Sequence, residues 1–301
     1  MSMRKHLFSI LFLLVAAGIW WVSISSTVRN PYVDEKKPVV VVSGYVPYTL
    51  TNQLAQGSVN LIMLLPPGAE PHAFEPTPGV LVSLKKADAF IYVSDELEPW
   101  AKDLAKAAAP RSRVVQLANG LLPEQDPHVW MNIKQTEQMA REIETVLEQI
   151  NPGQKLMYVE NLKKFNAQAQ TLARDFAHAL ATCKSRQVVH IGHLAFKNLA
   201  DEYGLTLRTL GGTSHQGEHS AKQVAALVAQ IKQASIPFIF SEEMLSSRLA
   251  QTVAQETGAQ VLLLTPVEQV SKRDFQSGVT YEALMRRNLD SLKRGLQCQA
   301  F

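Results

Sequence analysis

The chain has 301 residues, of which 46% are apolar, 19% charged and 7% aromatic. This is the composition of an ordinary globular protein, and it excludes disorder, a collagen-like chain and a coiled coil as the main state. Lys and Arg number 30 against 27 for Asp and Glu, so the net charge of +3 gives no electrostatic basis for nucleic-acid binding.

The N-terminal segment has the pattern of a secretory signal. Arg4 and Lys5 precede an uncharged apolar run, LFSILFLLVAAGIWWV, at residues 7–22. A basic start before a short apolar run is typical of a signal peptide. The run is slightly short for a spanning helix, but the two tryptophans at its outer end leave an uncleaved anchor as the alternative. We therefore predict a signal peptide or membrane anchor at residues 1–26, and a periplasmic or other extracytoplasmic location for the rest.

The rest of the chain alternates apolar, β-branched runs with helix-like stretches. Eight such runs predict strands, at residues 39–42, 59–65, 89–93, 113–118, 187–192, 205–210, 237–241 and 260–265. The stretches between and after them predict helices, at residues 50–54, 79–87, 98–109, 195–203, 221–234, 247–257 and 281–296. Continuous apolar strands separated by helices indicate an α/β fold with parallel sheets covered on both faces.

One long helix is predicted between the two halves. A helical region at about residues 134–150 is followed by Asn151 and Pro152, an N-cap residue before a proline at the first helical position. Apolar residues then recur at steps of three and four over residues 156–180, which predicts an amphipathic helix about 40 Å long. We therefore divide the chain into an N-terminal α/β lobe, a linking helix and a C-terminal α/β lobe, at residues 37–150, 151–182 and 183–301.

Three histidines lie where strands end. The segment PPGAEPHAFEPTP after the second strand contains His72, DPHVW after the fourth contains His128, and HIGH at the end of the fifth contains His193. Ligands of open α/β sheets bind beyond the carboxyl ends of the strands, and neutral imidazole is a common zinc ligand. A cleft between the lobes would collect these side chains, so we predict an interlobe metal site. The alternative is that they are solvated loop residues.

Other side chains near these motifs have simpler interpretations. We expect His190 to be a buried strand residue and His178 a polar residue on the long helix. Trp130 and Phe196 are expected to belong to the core. In an oxidising compartment the only two cysteines, Cys183 and Cys298, form either one disulfide or two unpaired thiols.

The same segments carry a family resemblance. PPGAEPHAFEPTP, KKADAFIYVSDELEPW, DPHVWMN, GHLAFKNLADEYGL and FSEE, in this order over about residues 39–296, resemble the solute-binding proteins of zinc and manganese ABC importers. The resemblance implies two small α/β lobes bridged by one rigid helix, with the metal ion between them. It places His72, His128 and His193 at metal-binding positions and implies a permease partner in the cytoplasmic membrane. We expect a monomer that is not an enzyme.

The fourth ligand departs from the family pattern. Members usually have an Asp in a segment like LDP after the last strand, but this chain reads LTP, with Thr265 there. Our candidate is Glu242, at the end of the neighbouring strand. The alternatives are a water molecule or one of three other carboxylates, Glu70, Glu243 and Glu268. Members that resemble manganese carriers tend to replace the third histidine with a carboxylate, so His193 favours zinc, with manganese as the alternative.

A second constellation supports a rival function. His215, Glu218 and His219 spell H-x-x-E-H, the inverted zinc-protease motif, whose chemistry needs both histidines on one helix face. The segment contains Gly217, and Ser220 has the position of an N-cap for the next helix. We therefore expect a solvated or metal-gathering loop at the cleft mouth. A zinc-dependent hydrolase or peptidase stays the alternative function.

Overall fold

The structure is a computed structural model that describes residues 34–121, 126–211, 220–243 and 248–299. From Pro38 onward, the described residues belong to one compact unit. The predicted signal or anchor at residues 1–26 lies outside the described residues. Within those residues, we find no helix with the length and apolar character needed to cross a membrane.

Two four-stranded parallel sheets form the framework. The first sheet has the order β2-β1-β3-β4 and is built from β1 (Val39–Val42), β2 (Asn60–Met63), β3 (Ala89–Tyr92) and β4 (Arg113–Gln116). The second has the equivalent order β6-β5-β7-β8 and is built from β5 (Gln187–Ile191), β6 (Thr206–Thr209), β7 (Phe238–Glu242) and β8 (Gln260–Leu264). The eight strands occur where the sequence predicts them, which confirms the α/β fold with two parallel sheets.

Helices cover the sheets and connect their strands. In chain order they are α1 (Tyr45–Ala55), α2 (Pro78–Lys86), α3 (Pro99–Ala107), α4 (Ile133–Ile150), α5 (Lys155–Ala181), α6 (Lys197–Glu202), α7 (Ala221–Gln233), α8 (Arg248–Thr257), α9 (Lys272–Gln276) and α10 (Tyr281–Gly295). Two differ clearly from prediction. Helix α1 begins well before residue 50, because Pro47 lies in its first turn, where the missing N–H needs no partner. Helix α9 was not predicted; Ser271 caps its N-terminus.

The predicted long helix is α5, with 27 residues. Its start differs from prediction, because Pro152–Gln154 forms a 3₁₀ turn and the α-helix begins at Lys155. Its buried side chains recur at steps of three and four, and it contacts α1, α4 and α10. Because α1 follows β1 and α10 follows β8, this helix touches elements from both halves. The lobe boundaries themselves stay a prediction, since both sheets lie in one compact unit.

A disulfide closes the C-terminal part of the structure. It joins Cys183, just after α5, to Cys298, just after α10. The pairing considered for an oxidising compartment is therefore present. It holds the last helix against the end of the long helix.

A buried carboxyl group stabilises the turn after β3. Glu98 is 1% exposed, and its Oε2 accepts a hydrogen bond of 2.7 Å from the backbone N–H of Val93. Burial raises the pKa of Glu98 from 4.5 to about 7, against the lowering effect of its hydrogen bonds. The folded protein therefore binds this proton more tightly than the unfolded chain does. As a result, the contribution of Glu98 to stability falls as pH rises through this interval.

We expect Glu98→Gln to remove this part of the pH dependence. Urea unfolding of metal-free wild type and variant, at several pH values, measures the difference in their free energies of unfolding. Going from pH 4.5 to pH 7, that difference should move by roughly 3 kcal/mol in favour of the variant, since one pKa unit is worth about 1.4 kcal/mol. Glu96→Gln, at an exposed position on the same turn, is the control and should leave the wild-type profile unchanged. A difference that does not vary with pH would contradict the assignment.

Candidate metal centre

Four side chains from four loops meet in one cluster. They are His72, His128, His193 and Glu268, and each offers one ligand atom within 4.8 Å of the others. Their loops follow β2, β4, β5 and β8, so each sheet contributes two of them. His72 is partly exposed and the other three are buried. The structure therefore brings the three predicted histidines together beyond the carboxyl ends of the strands.

The spacing of the donor atoms fits a single ion. His128 Nε2 lies 3.1 Å from His193 Nε2, and these nitrogens lie 3.3 Å and 3.2 Å from the carboxylate oxygens of Glu268. His72 Nε2 lies 3.8 Å from the same carboxylate. Donors at 2.0 to 2.1 Å from a tetrahedral zinc ion are separated by about 3.3 to 3.4 Å. The cluster thus has the size of one tetrahedral coordination shell.

Two of the imidazoles have a carboxylate beside Nδ1, the ring nitrogen that faces away from the cluster. Asp126 Oδ1 lies 2.6 Å from His128 Nδ1, and Glu242 Oε1 lies 2.8 Å from His193 Nδ1. When Nδ1–H donates to a carboxylate, the lone pair of the neutral ring is left on Nε2, which faces the cluster. Asp126 is itself fixed, because its Oδ2 accepts a hydrogen bond of 2.9 Å from the side-chain amide of Asn198. This arrangement orients both rings before an ion arrives.

Glu242, the predicted fourth ligand, lies outside the four-residue cluster. Glu242 is the last residue of β7, beside β5, and its carboxylate reaches His193 from the Nδ1 side rather than from the cluster. Its Oε1 also accepts the backbone N–H of His193 at 2.7 Å. A Cβ on Gly192 would collide with this carboxylate, so the glycine permits the contact. Glu268, one of the alternatives, supplies the carboxylate of the cluster.

The other carboxylates considered lie elsewhere. Glu70 binds its own loop and the opposite one, since its Oε1 accepts from His72 N at 3.0 Å and its Oε2 from Gln269 Nε2 at 2.9 Å. Glu243 is exposed at the end of β7. Glu70 therefore links the loop that carries His72 to the loop that carries Glu268.

Thr265 has a structural role in place of a ligand role. The side chain of Asn288 binds both backbone groups of Thr265, accepting from its N–H and donating to its carbonyl, each at 2.8 Å. The Thr265 hydroxyl accepts the N–H of Val267 at 3.2 Å. In addition, the indole N–H of Trp130 donates to the carbonyl of Pro266 at 2.7 Å. These hydrogen bonds fix the chain immediately before Glu268.

The charges of the cluster compensate one another. Burial alone would raise the pKa of Glu268, but the neighbouring His193 and His128 hold it well below its ordinary value. Burial alone would lower the pKa of His193, but Glu268 and Glu242 outweigh it and raise that pKa to about 10. Because a buried carboxylate needs positive charge nearby, a divalent cation can replace these protons.

The remaining predicted residues have the expected places. His190 and Phe196 are buried with their rings 4.8 Å apart, and neither is in the cluster. Trp130 is buried in the core, with its ring edge-on to His128. His178 is exposed on α5. Ser220 caps α7 in a capping box, as predicted, while the H-x-x-E-H motif before it lies outside the described residues.

A family model matches most of the chain. The model of the periplasmic zinc-uptake complex component A, ZnuA, matches residues 40–295. The chain belongs to this family. The resemblance to zinc and manganese solute-binding proteins is thereby confirmed.

Two curated relatives show how much of the chain is shared. The high-affinity zinc uptake system protein ZnuA of Bacillus subtilis is 30% identical over 306 residues, which cover 95% of this chain and 94% of the relative. The zinc-binding protein AdcA of Streptococcus pyogenes serotype M18 is 28% identical over 97% of this chain, but over only 61% of its own length. This chain thus spans about three fifths of the AdcA relatives that it matches.

Solved structures share the fold. The Zn(II)-bound ZnuA-like domain of Streptococcus pneumoniae AdcA aligns with a TM-score of 0.77 at 28% identity, covering 86% of this chain and 99% of the domain. The metal-dependent lipoprotein YcdH of Bacillus subtilis aligns with a TM-score of 0.78 at 30% identity, covering 86% and 100%. A Mn-bound periplasmic metal-binding protein of Candidatus Liberibacter asiaticus shares the fold at 22% identity, with a TM-score of 0.77 and coverage of 86% of this chain and 100% of that protein.

We expect Asp126→Asn to weaken metal binding while leaving the fold intact. The amide oxygen can still accept a hydrogen bond from His128, but the negative charge that raises the basicity of the ring is lost, and an NH2 group replaces the oxygen that accepts from Asn198. Changes of this kind typically cost about 10- to 100-fold in metal affinity. Chelator competition measures the affinity, and Asp103→Asn, which breaks only an exposed ion pair with Lys106, is the control. Equal affinities of wild type and Asp126→Asn would contradict this role.

Proposed function

We propose that this protein captures a zinc ion outside the cytoplasmic membrane and delivers it to the permease of an ABC importer. The observation that carries this proposal is the buried cluster of His72, His128, His193 and Glu268, whose donor atoms have the separations of one tetrahedral shell. The ion is cargo, and the protein performs no reaction on it.

The donor set favours zinc over manganese. Three imidazole nitrogens and one carboxylate suit zinc, whereas manganese prefers a shell richer in oxygen ligands. The names of the relatives agree, because the Bacillus subtilis and Streptococcus pyogenes proteins are both named for zinc. Manganese is therefore the second candidate, and the metal-content experiment below decides between the two.

The same donor set favours binding over hydrolysis. A catalytic zinc site keeps three protein ligands and leaves one position open for water or substrate. Here four protein side chains converge, which fills a tetrahedral shell. A zinc hydrolase is accordingly disfavoured by the number of donors.

Binding of one ion by all four ligands would connect loops of the two sheets. The ligand loops after β2 and β4 belong to the first sheet, and those after β5 and β8 belong to the second. An ion bound by all four restrains both pairs of loops at once. Because α5 contacts elements of both halves, we infer that release depends on movement of the loops more than on a wide hinge.

The location and the partner follow from the proposed role. The family description is periplasmic, and a basic residue pair before an apolar run is the pattern of a secretory signal. We propose that the N-terminal segment acts as a signal or as an uncleaved tether. The protein then works as a monomer beside a permease in the cytoplasmic membrane.

Metal content tests the proposal directly. The mature domain is stripped of metal, offered equal zinc and manganese, desalted and analysed by elemental mass spectrometry, together with His193→Ala. We expect one zinc per wild-type chain, little manganese, and loss of the zinc in the variant, because one of the four donors is removed. Retained manganese would favour the second candidate. Zinc that is unaffected by the variant would place the site elsewhere.

The two glutamates at the site should differ in effect. Glu268→Ala removes a proposed ligand and should lower zinc affinity by orders of magnitude. Glu242→Ala removes only the carboxylate behind His193, so the expected loss is about 10- to 100-fold. Chelator competition on both variants measures the difference. A larger loss of zinc affinity for Glu242→Ala than for Glu268→Ala would indicate that Glu242 is the ligand and Glu268 the supporting carboxylate.

A further inference from the structure

Val267, the residue before Glu268, has an unusual backbone. Its φ is +66°, in the left-handed region, and its side chain is fully buried. The left-handed region is unfavourable for L-residues, and a β-branched residue found there is a genuine outlier. Glycine would adopt this conformation without the steric cost.

The other non-glycine residues with positive φ have an ordinary explanation. Among the described residues these are Gln56, Ser235 and Gln297, with φ of 45°, 48° and 55°. Each lies at the C-terminal end of a helix, α1, α7 or α10, where a left-handed residue commonly ends the helix. Val267 ends no helix; it lies in the loop after β8, directly before a residue of the cluster.

The surroundings hold Val267 in this conformation. Its N–H is bonded to the Thr265 hydroxyl, and the preceding carbonyl, of Pro266, accepts from Trp130. Asn288 binds both backbone groups of Thr265. The Val267 side chain packs in the main hydrophobic core. Strained residues persist only where the surroundings fix them in this way, and they concentrate at functional sites.

The conformation determines where the next side chain lies. A left-handed residue changes the direction of the chain within a single residue, and Glu268 then lies 3.2 Å from His193 Nε2 and 3.3 Å from His128 Nε2. Valine is stiff at χ1 and confines the backbone more than glycine does. The carboxylate is therefore held with little freedom to retreat from the histidines.

We propose that Val267 is a positioning residue, whose left-handed backbone holds Glu268 against the histidines and thereby sets both the affinity and the zinc preference of the site. The inference rests on the proposed zinc-binding function. A carboxylate fixed in a compact shell suits tetrahedral zinc, whereas manganese favours six oxygen-rich ligands and gains when the shell can expand.

The test compares Val267→Gly with Val267→Ala. Both variants remove the packed side chain, but only glycine relieves the left-handed conformation and frees the loop. We expect Val267→Gly to have the higher urea midpoint in the metal-free state. We also expect it to bind zinc about tenfold or more weakly than Val267→Ala, the size of a typical positioning effect. Its preference for zinc over manganese should fall by a similar factor. Ser235→Gly, which relieves a positive φ at the end of α7, is the control and should change neither the zinc affinity nor the preference for zinc over manganese.

The visible absorption of bound cobalt(II) provides a measurement that would not change if Val267 acted through packing alone. Tetrahedral cobalt has strong visible absorption bands, which weaken when the coordination shell expands. We expect weakened bands in Val267→Gly and wild-type bands in Val267→Ala. Identical spectra and identical affinities of the two variants would overturn the proposal, because the residue would then act through packing alone.

A second pair of variants tests the proposal at Thr265 and leaves the Val267 side chain unchanged. Thr265→Val keeps the shape of the side chain but removes the hydroxyl that accepts the Val267 N–H, and Thr265→Ser retains that hydroxyl. We expect the first to weaken zinc binding and the cobalt bands, and the second to behave as wild type. No difference between them would count against the proposal. A wild type that binds no zinc would instead overturn the proposed function itself, so the two failures are distinguishable.

Discussion

The structure of the site depends on burying the negative charge of Glu268 among imidazoles. A carboxylate that is 3% exposed is costly unless positive charge lies beside it, and His193 and His128 provide that charge. Two further buried carboxylates, Asp126 and Glu242, lie behind those same rings. Each of these two imidazole rings therefore lies between two carboxylates, one behind the ring and Glu268 in the cluster. A divalent cation at the middle of the cluster would satisfy Glu268 better than shared protons do, which explains why so polar a cluster can lie in the core.

Much of the fold was predictable, because its elements have strong local signals. Each of the eight strands contains β-branched residues, and the long helix has a clear apolar repeat. Three of the four cluster residues were predictable too, since His72, His128 and His193 follow strand ends. The start of α1 was not, because Pro47 in a sequence normally argues against a helix and only its place in the first turn makes it acceptable.

The sequence offered Glu268 only as an alternative to Glu242, and the reason is physical. Glu242 directly follows the strand predicted at residues 237–241, so it was the natural candidate, whereas Glu268 lies within the loop after β8, whose course depends on tertiary contacts. Nothing local in valine indicates a left-handed residue at position 267; Asn288 and Trp130, both distant in sequence, impose it. Sequence patterns report strand ends well. They do not predict the backbone conformation of a loop that distant residues hold in place, such as the loop that carries Glu268.

The disulfide has a consequence for the proposed zinc cargo. Cysteine thiolate is among the strongest protein ligands for zinc, and a free thiol on the same chain would compete with the histidines for the ion. Because Cys183 and Cys298 are bonded to each other, neither sulfur is available as a thiolate. The two cysteines therefore offer the proposed zinc cargo no thiolate ligand, and the donors of the four-residue cluster are nitrogen and oxygen alone. The disulfide, usually discussed as a source of stability, would thus also keep these two cysteines from competing with the cluster for the ion.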